Sequence, residues 1–247
     1  MLKSTILIAC SLVYSASNVI AEELIEFPSE DGVKISADLY MAHPDTAPLI
    51  ILFHQANWSR GEYVEIAPEL NALGYNCLAV DLRSGGAVNN VTNLTKINAS
   101  KAMKSTQYVD ALPDMRAAIK YAKQNLTSDK VIIWGSSYSS ALALKLAGSM
   151  ADVNAVLAFS PAEYFVNQGK PRDFVTSDAT NIEVPVFITS ARSEKGSWWG
   201  IYVSINEDRK SYYLPDTAGN HGSKALWSKF SDSKDYWKAV KSFLASI

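Results

Sequence analysis

Apolar and polar residues alternate near the start of the chain, and farther along they give way to continuous apolar runs. The alternation in residues 23–42, on both sides of a Glu-Asp-Gly stretch, predicts a β-hairpin. Five later runs are almost wholly apolar, which is typical of strands that are buried on both faces of a sheet. These runs occupy residues 47–54, 75–82, 130–135, 153–160 and 184–191. A shorter strand is predicted at 210–215.

Helical patterns lie between and after these runs. They cover residues 62–74, 107–125, 138–148 and 235–247. Buried strands that alternate with helices predict βαβ units, and therefore an α/β fold with a mostly parallel central sheet and helices on both faces. The N-terminal hairpin adds antiparallel strands at one edge. Residues 84–105 are rich in Asn, Thr, Ser and Gly and lack periodicity, so we expect a long excursion over the surface.

The composition is that of an ordinary globular protein. The chain has 247 residues, of which 48% are hydrophobic and 19% charged, and its net charge is −2. A balance this close to neutral gives no reason to expect nucleic acid or an anionic membrane surface as a partner. Because no linker or internal repeat is apparent, residues 22–247 are predicted to form a single domain.

The first 21 residues have the pattern of a secretory signal peptide. Lys3 is a short basic start, residues 5–14 are apolar, and the segment ends with small Ala21 before two glutamates. A bilayer span needs about 20 apolar residues, so we expect cleavage after Ala21 and export to the periplasm or the medium, without stable membrane insertion. The alternative is a lipoprotein anchor at Cys10. Cleavage removes Cys10 and leaves Cys77 without a partner for an intramolecular disulfide.

The strand at 130–135 runs directly into the sequence Gly-Ser-Ser-Tyr-Ser. A G-x-S-x-G turn between a strand and a helix holds a serine nucleophile at its corner, and Ser137 has that position here. Gly135 lets the strand and the helix approach closely. Ser139 departs from the motif, because it adds a hydroxymethyl group where glycine is usual. The alternative is a helix start in which a hydroxyl of this stretch caps free backbone N–H groups.

A serine nucleophile needs a general base, and the base needs an acid that orients it. The chain has three histidines, and their spacing is not that of zinc ligands. His43 precedes the first parallel strand and therefore lies at the wrong end of the sheet. His54 ends that strand, whereas His221 follows the last strand and fits the chain order serine, acid, histidine, so His221 is the predicted base. Glu194, just past the strand at 184–191, is the predicted acid. The rival acids are Glu163 and Asp178.

The oxyanion of an acyl-transfer reaction needs two backbone N–H donors. One is expected from Tyr138, the residue after the nucleophile. The other is expected from the loop after the strand that ends in His54, with Ala56 as the preferred donor and Gln55 as the alternative.

The same segments supply candidate substrate contacts. They are Gln55, Trp58, Arg83 and Trp198. Aromatic rings suit an apolar acyl pocket, and the guanidinium of Arg83 suits a substrate carboxylate. The alternatives are core packing for Trp198 and an ion pair between Arg83 and Asp81.

Six segments in order resemble the α/β-hydrolase superfamily, and within it the dienelactone-hydrolase-like branch. They are LIILFHQANWSRGEY, AVDLRSGG, DMRAAIKYA, VIIWGSSYSS, VPVFITSARSE and AGNHG. The resemblance implies a serine hydrolase that acts on a small-molecule ester or related acyl substrate without a metal or organic cofactor, with Ser137 as nucleophile, Glu194 as acid and His221 as base. Dienelactone hydrolases proper carry cysteine as nucleophile, and many relatives have His-Gly where this chain has His-Gln. The alternatives are a non-catalytic binding module on the same fold, or a peptidase or amide hydrolase.

Overall fold

The computed structural model describes residues 22–127, 130–150 and 152–247. The predicted signal peptide lies outside these residues, so its cleavage stays a prediction. The strands are β1 (Glu22–Pro28), β2 (Lys34–Tyr40), β3 (Leu49–Phe53), β4 (Asn76–Val80), β5 (Ala87–Val88), β6 (Val91–Thr92), β7 (Val131–Ser136), β8 (Ala155–Phe159), β9 (Val186–Thr189) and β10 (Lys210–Tyr213). The α-helices are α1 (Ile66–Ala72), α2 (Leu94–Lys101), α3 (Leu112–Asn125), α4 (Tyr138–Ala147), α5 (Thr176–Ala179), α6 (Lys195–Ser204) and α7 (Ser233–Leu244). Short 3-10 helices lie at Arg60–Tyr63, Tyr108–Ala111, Val166–Gln168, Arg192–Glu194, Glu207–Arg209 and Ser223–Leu226.

The described residues form an eight-stranded sheet in the order β1-β2-β4-β3-β7-β8-β9-β10. The hairpin partners β1 and β2 are antiparallel, and β2 also pairs antiparallel with β4. Every pair from β4 across to β10 is parallel. The predicted α/β fold, with a mostly parallel sheet and an antiparallel N-terminal hairpin, is confirmed.

The sheet has a buried core on each face because successive side chains of a strand point to opposite sides. In β3, Ile51 and Phe53 belong to one core and Ile50 and Leu52 to the other. Helices α3, α4 and α6 cover the first core, and α1 and α7 cover the second. Burial on both faces is the reason that the strands appear in the sequence as continuous apolar runs. Cys77 of β4 is a buried free thiol in the second core.

Residues 84–105 contain more regular structure than the sequence indicated. They form the small hairpin β5–β6 and helix α2. The side chain of Asn93 caps α2 by accepting a hydrogen bond from the Lys96 N–H at 2.7 Å. The hydroxyl of Thr95 on α2 accepts from the Ser36 N–H at 2.9 Å, which joins the helix to β2. Helix α2 buries little apolar surface, so its sequence carries no clear apolar period.

The carboxyl ends of β3, β7, β8 and β9 meet at one edge of the sheet, because these strands are neighbours and parallel. In open α/β sheets, this edge is where ligands bind. None of the helices within the described ranges combines the length and apolarity that a membrane crossing requires.

Candidate active site

Ser137 forms the corner between β7 and α4. Its backbone has φ 59° and ψ −125°, a conformation that non-glycine residues rarely adopt, and its N–H donates to the Phe159 carbonyl at 2.7 Å. The corner is tight, since a Cβ on Gly135 would lie 2.3 Å from the Cα of Ser140. The glycine therefore allows the close crossing of strand and helix that a strained serine corner requires.

Ser139 is accommodated at the position where the motif usually has glycine. Its hydroxyl accepts a hydrogen bond from the Ser136 N–H at 2.9 Å, and it lies 2.8 Å from the Phe53 carbonyl, to which it donates. The hydroxymethyl group is fully buried with its polar atom satisfied. The departure from the motif thus leaves the shape of the corner intact.

His221 and Glu194 form a close pair. The Nδ1 atom of His221 lies 2.6 Å from Oε1 of Glu194. The other carboxylate oxygen of Glu194 accepts from the Ser160 hydroxyl at 2.7 Å and from the Ala191 N–H at 3.2 Å. Burial by itself would raise the pKa of Glu194, but the hydrogen bonds from His221 and Ser160 outweigh it and lower the pKa below its ordinary value.

The loop that carries His221 (residues 219–223, the histidine loop) lies against the residue before Ser137. The Ser223 N–H donates to the Ser136 hydroxyl at 2.9 Å. A Cβ on Gly222 would lie 2.5 Å from the same hydroxyl oxygen. The structure thus brings the histidine loop to the serine corner, together with Glu194.

Tyr164, in the segment after β8, also reaches the corner. Its hydroxyl donates to the Ser160 carbonyl at 2.7 Å, and the Ser137 side chain lies near enough to lower the pKa of the phenol. Burial raises the pKa of Tyr164 to about 12, so the phenol keeps its proton at neutral pH.

The two rival acids have other partners. Glu163 accepts hydrogen bonds from the N–H groups of Val175 and Thr176, and so holds the start of α5. Asp178 forms an ion pair with Lys145. Of the three candidate acids, Glu194 is the one bonded to His221.

The loop after β3 (residues 54–59, the oxyanion loop) has one candidate donor already engaged. The Gln55 N–H donates to Oε2 of Glu62 at 2.8 Å. The Ala56 N–H makes no hydrogen bond within the described residues. Tyr138 is the first residue of α4, so its N–H has no acceptor in the preceding helical turn. Within the described residues, Ala56 and Tyr138 thus both have N–H groups without a protein acceptor, as the predicted oxyanion donors require.

His54 determines the direction of the Ala56 N–H. The Leu82 N–H donates to Nε2 of His54 at 2.8 Å, so the ring is an acceptor there and its proton lies on Nδ1. Nδ1 donates to the Gln55 carbonyl at 2.8 Å. Because the C=O and N–H of a trans peptide point in opposite directions, this bond turns the Ala56 N–H away from His54. Complete burial lowers the pKa of His54 to about 4, so the ring is neutral.

Replacing His54 by Gln is expected to remove part of the acid sensitivity of folding. His54 has its ordinary pKa of 6.5 in the unfolded chain and a pKa of about 4 in the folded protein. Between these two pH values, the unfolded chain therefore binds more protons than the folded protein does. In the wild type, His54 should therefore lower the free energy of unfolding by about 3 kcal/mol as the pH drops through this window, and His54→Gln should lack this contribution. Urea unfolding at several pH values, with His43→Gln as the matched control, measures this. An equal slope in wild type and His54→Gln would contradict it.

Two of the residues predicted to contact substrate are bonded to partners inside the protein. The guanidinium of Arg83 forms ion pairs with Asp31 at 2.7 Å and Asp114 at 2.6 Å, and its side chain is 3% exposed. Trp198 is fully buried and donates its indole N–H to the Ser190 hydroxyl at 2.8 Å. The structure corrects both predictions: Arg83 is an internal ion-pair partner, though not of Asp81, and Trp198 is a core residue.

Gln55 and Trp58 stay close to the site. The Trp58 ring stacks on Trp227 with centroids 5.3 Å apart, and Lys224 lies 5.8 Å above it, so Trp58 borders the segment just after the histidine loop. The side chain of Gln55 is buried beside Gly222, and within the described residues its Nε2 has no hydrogen-bond partner. Both remain proposed substrate contacts.

Three further residues hold the loops of the candidate site in place, and their roles were not predicted from the sequence. They are Glu62, Ser136 and Ser160. Ser160 ends an apolar run at the carboxyl edge of the sheet, which is a signal that sequence reasoning can use. Glu62 resembles an ordinary charged residue at a helix start, and nothing in the sequence marks it as buried. In the part of the chain that the structure describes, no cluster of three His, Cys, Asp or Glu residues is placed to hold a metal ion.

Comparison with known proteins gives a family and a fold. The family model of the dienelactone hydrolase family matches residues 37–195. The thiohydrolase apmlB of Arthrinium phaeospermum is 29% identical over 157 residues, which cover 62% of this chain and 48% of that protein. The matched stretch thus spans about half the length of this curated relative.

Solved structures of similar fold cover nearly the whole chain. The esterase Pf2001 of Pyrococcus furiosus has a TM-score of 0.72 at 19% identity, over 92% of this chain and 93% of the other. Est1E of Butyrivibrio proteoclasticus, solved with ferulic acid bound, has a TM-score of 0.68 at 15% identity, over 90% and 98%. A dienelactone hydrolase of Anabaena variabilis has a TM-score of 0.68 at 15% identity, over 92% and 97%. Together with the family match, these structures confirm the resemblance to the α/β-hydrolases.

Proposed function

Because the chain belongs to the dienelactone hydrolase family, we propose that it is a serine hydrolase that cleaves carboxylic ester bonds through an acyl-enzyme. The observation that carries the proposal is the arrangement around Ser137: a strained serine corner, against which the histidine loop packs, and a contact between His221 of that loop and Glu194. A buried corner with φ of 59° is costly for an ordinary turn, and such strain is concentrated at functional sites.

In the proposed reaction, Oγ of Ser137 attacks the carbonyl carbon of the ester while Nε2 of His221 takes the hydroxyl proton. Glu194 stabilises the resulting imidazolium through its 2.6 Å contact with Nδ1. Collapse of the tetrahedral intermediate breaks the bond to the alkoxy group, which leaves as the alcohol with the proton from His221. Water then attacks the acyl-enzyme, His221 takes its proton, and the carboxylic acid is released as Ser137 regains its own.

The negative charge that develops on the carbonyl oxygen is assigned to the N–H groups of Ala56 and Tyr138. Two N–H donors of fixed direction stabilise an oxyanion without reorganisation during the reaction. The Gln55 carbonyl, held by His54, fixes the direction of the first donor, and the start of α4 fixes the second. The helix N-terminus adds its partial positive charge at the same place.

Thioesters are a second candidate substrate class, favoured by the sequence relative named as a thiohydrolase. The same nucleophile and oxyanion donors serve a thioester, because both substrates pass through a tetrahedral oxyanion. Matched acyl esters and thioesters of equal chain length should therefore be compared side by side.

A fluorophosphonate probe tests whether Ser137 is an activated nucleophile. The serine oxygen displaces fluoride from phosphorus, so the expected result is one stable phosphonyl adduct per chain, located at Ser137 by peptide mass spectrometry. Ser137→Ala should give no adduct, because the hydroxyls of Ser136 and Ser160, which also contact the histidine loop, are engaged as donors to Glu62 and Glu194. Short p-nitrophenyl esters and their thioester analogues then give the substrate class.

Absence of labelling in a folded sample would contradict the proposal. Circular dichroism and a cooperative thermal transition establish that the sample is folded. In that case, a non-catalytic binding module on the same fold becomes the preferred explanation. Labelling without ester or thioester hydrolysis would instead direct the search to amide and peptide substrates.

A further inference from the structure

The two backbone N–H groups that follow His221 are each held by a serine hydroxyl that donates to a glutamate. The Gly222 N–H donates to Oγ of Ser160 at 2.9 Å, and this hydroxyl donates to Glu194 at 2.7 Å. The second arrangement repeats this pattern with different residues. The Ser223 N–H donates to Oγ of Ser136 at 2.9 Å, and that hydroxyl donates to Oε1 of Glu62 at 2.7 Å.

The first chain of hydrogen bonds belongs to the proposed acid, but the second involves no residue of the proposed mechanism. Glu62 is fully buried, and its remaining oxygen accepts from the Gln55 N–H at 2.8 Å. The carboxylate thus connects the oxyanion loop to the strand that precedes the nucleophile and, through Ser136, to the histidine loop. A buried carboxyl group is costly unless its hydrogen bonds compensate, so a purely structural reason for keeping it here is weak.

The charged and titratable groups around Glu62 include the proposed base. Burial raises the pKa of Glu62 to about 7, against the hydrogen bonds from Ser136 and Gln55, which lower it. A protonated His221 and the charge of Lys224 act on the pKa of Glu62 in the same lowering direction. The phenols of Tyr63 and Tyr138 lie close enough for Glu62 to disfavour their ionisation.

We propose that Glu62 and Ser136 are positioning residues: they anchor the histidine loop independently of Glu194 and join it to the oxyanion loop. This inference rests on the proposed function for its catalytic consequence. The anchor itself is a property of the loop that is measurable without substrate.

Kinetics and hydrogen exchange test the positioning role. Ser136→Ala is expected to lower kcat at least about tenfold with little change in KM, because the base is displaced while the binding surface is retained. Adding Glu62→Gln to Ser136→Ala should cost little more, since both substitutions break one chain of hydrogen bonds. Fully additive effects, or single effects within about twofold, would overturn the proposal.

The amide of Ser223 gives a result that does not depend on activity or on the folding of the Glu62 variant. Ser136→Ala removes the acceptor of this N–H, so its exchange with solvent should accelerate about tenfold or more, whereas the Gly222 amide keeps Ser160 as its acceptor. An unchanged Ser223 rate would overturn the anchor. If the wild type neither labels nor hydrolyses, while Ser223 exchange responds, the anchor stands and the proposed function fails.

Discussion

Ser137→Ala is expected to lower kcat/KM for ester hydrolysis at least about 10⁴-fold. The substitution removes the oxygen that bonds to the acyl group, and water bound at the oxyanion donors cannot replace a positioned nucleophile. Stopped-flow or spectrophotometric assays with p-nitrophenyl esters measure the loss. Ser149→Ala, an exposed serine just beyond α4, is the matched control and should keep wild-type activity.

The backbone of Ser137 provides a second measurement on the same position. Because φ is 59°, the folded state bears the strain of a side chain in the left-handed region. Ser137→Gly should relieve that strain and unfold at a higher temperature than Ser137→Ala, although both are inactive. Retained activity in either variant would exclude Ser137 as the nucleophile. Equal melting temperatures would show that the corner is not strained.

Glu194→Gln is expected to lower kcat/KM about 10³-fold or more. The Glu194 carboxylate lies 2.6 Å from Nδ1 of His221, and in the proposed mechanism it keeps the ring proton on Nδ1 so that Nε2 is free to act as the base. An amide in its place can present N–H to the ring and favour the wrong tautomer. The loss should fall on kcat, because Glu194 stabilises the charge that appears on His221 in the transition state.

The rival acids provide the matched controls for this prediction. Glu163→Gln removes a charge near α5 and Asp178→Asn removes the partner of Lys145, so both should stay within a few-fold of wild-type activity. Because the pKa of Glu194 lies below its ordinary value, the residue stays ionised as the pH falls through the range in which carboxyl groups normally protonate. A larger loss in either control than in Glu194→Gln would assign the acid elsewhere.

The fold was predictable because its central strands are buried on both faces and are therefore recognisable in the sequence. Strands β3, β4, β7, β8 and β9 are apolar on both faces, and a sequence shows such strands as unbroken runs. Helix α2 was not predictable, because it is held by hydrogen bonds that the side chains of Asn93 and Thr95 accept, and it buries few apolar side chains. The predicted helix at 62–74 begins with Glu62, which in the structure lies in the 3-10 helix Arg60–Tyr63 and is buried, and no sequence pattern indicated that burial.

The sequence by itself determined the α/β class, the strand–helix corner at Ser137, and the positions of His221 and Glu194 in loops at the same edge of the sheet. Each of these depends on local pattern and chain order, which a sequence carries directly. Only the tertiary structure showed which of Glu194, Glu163 and Asp178 contacts His221, and only it gave Arg83 and Trp198 internal partners. The physical reason is that hydrogen-bond partners and burial are set by segments far apart in the chain. The sequence therefore does not distinguish one loop carboxylate from another, whereas the packed fold shows which of them contacts His221.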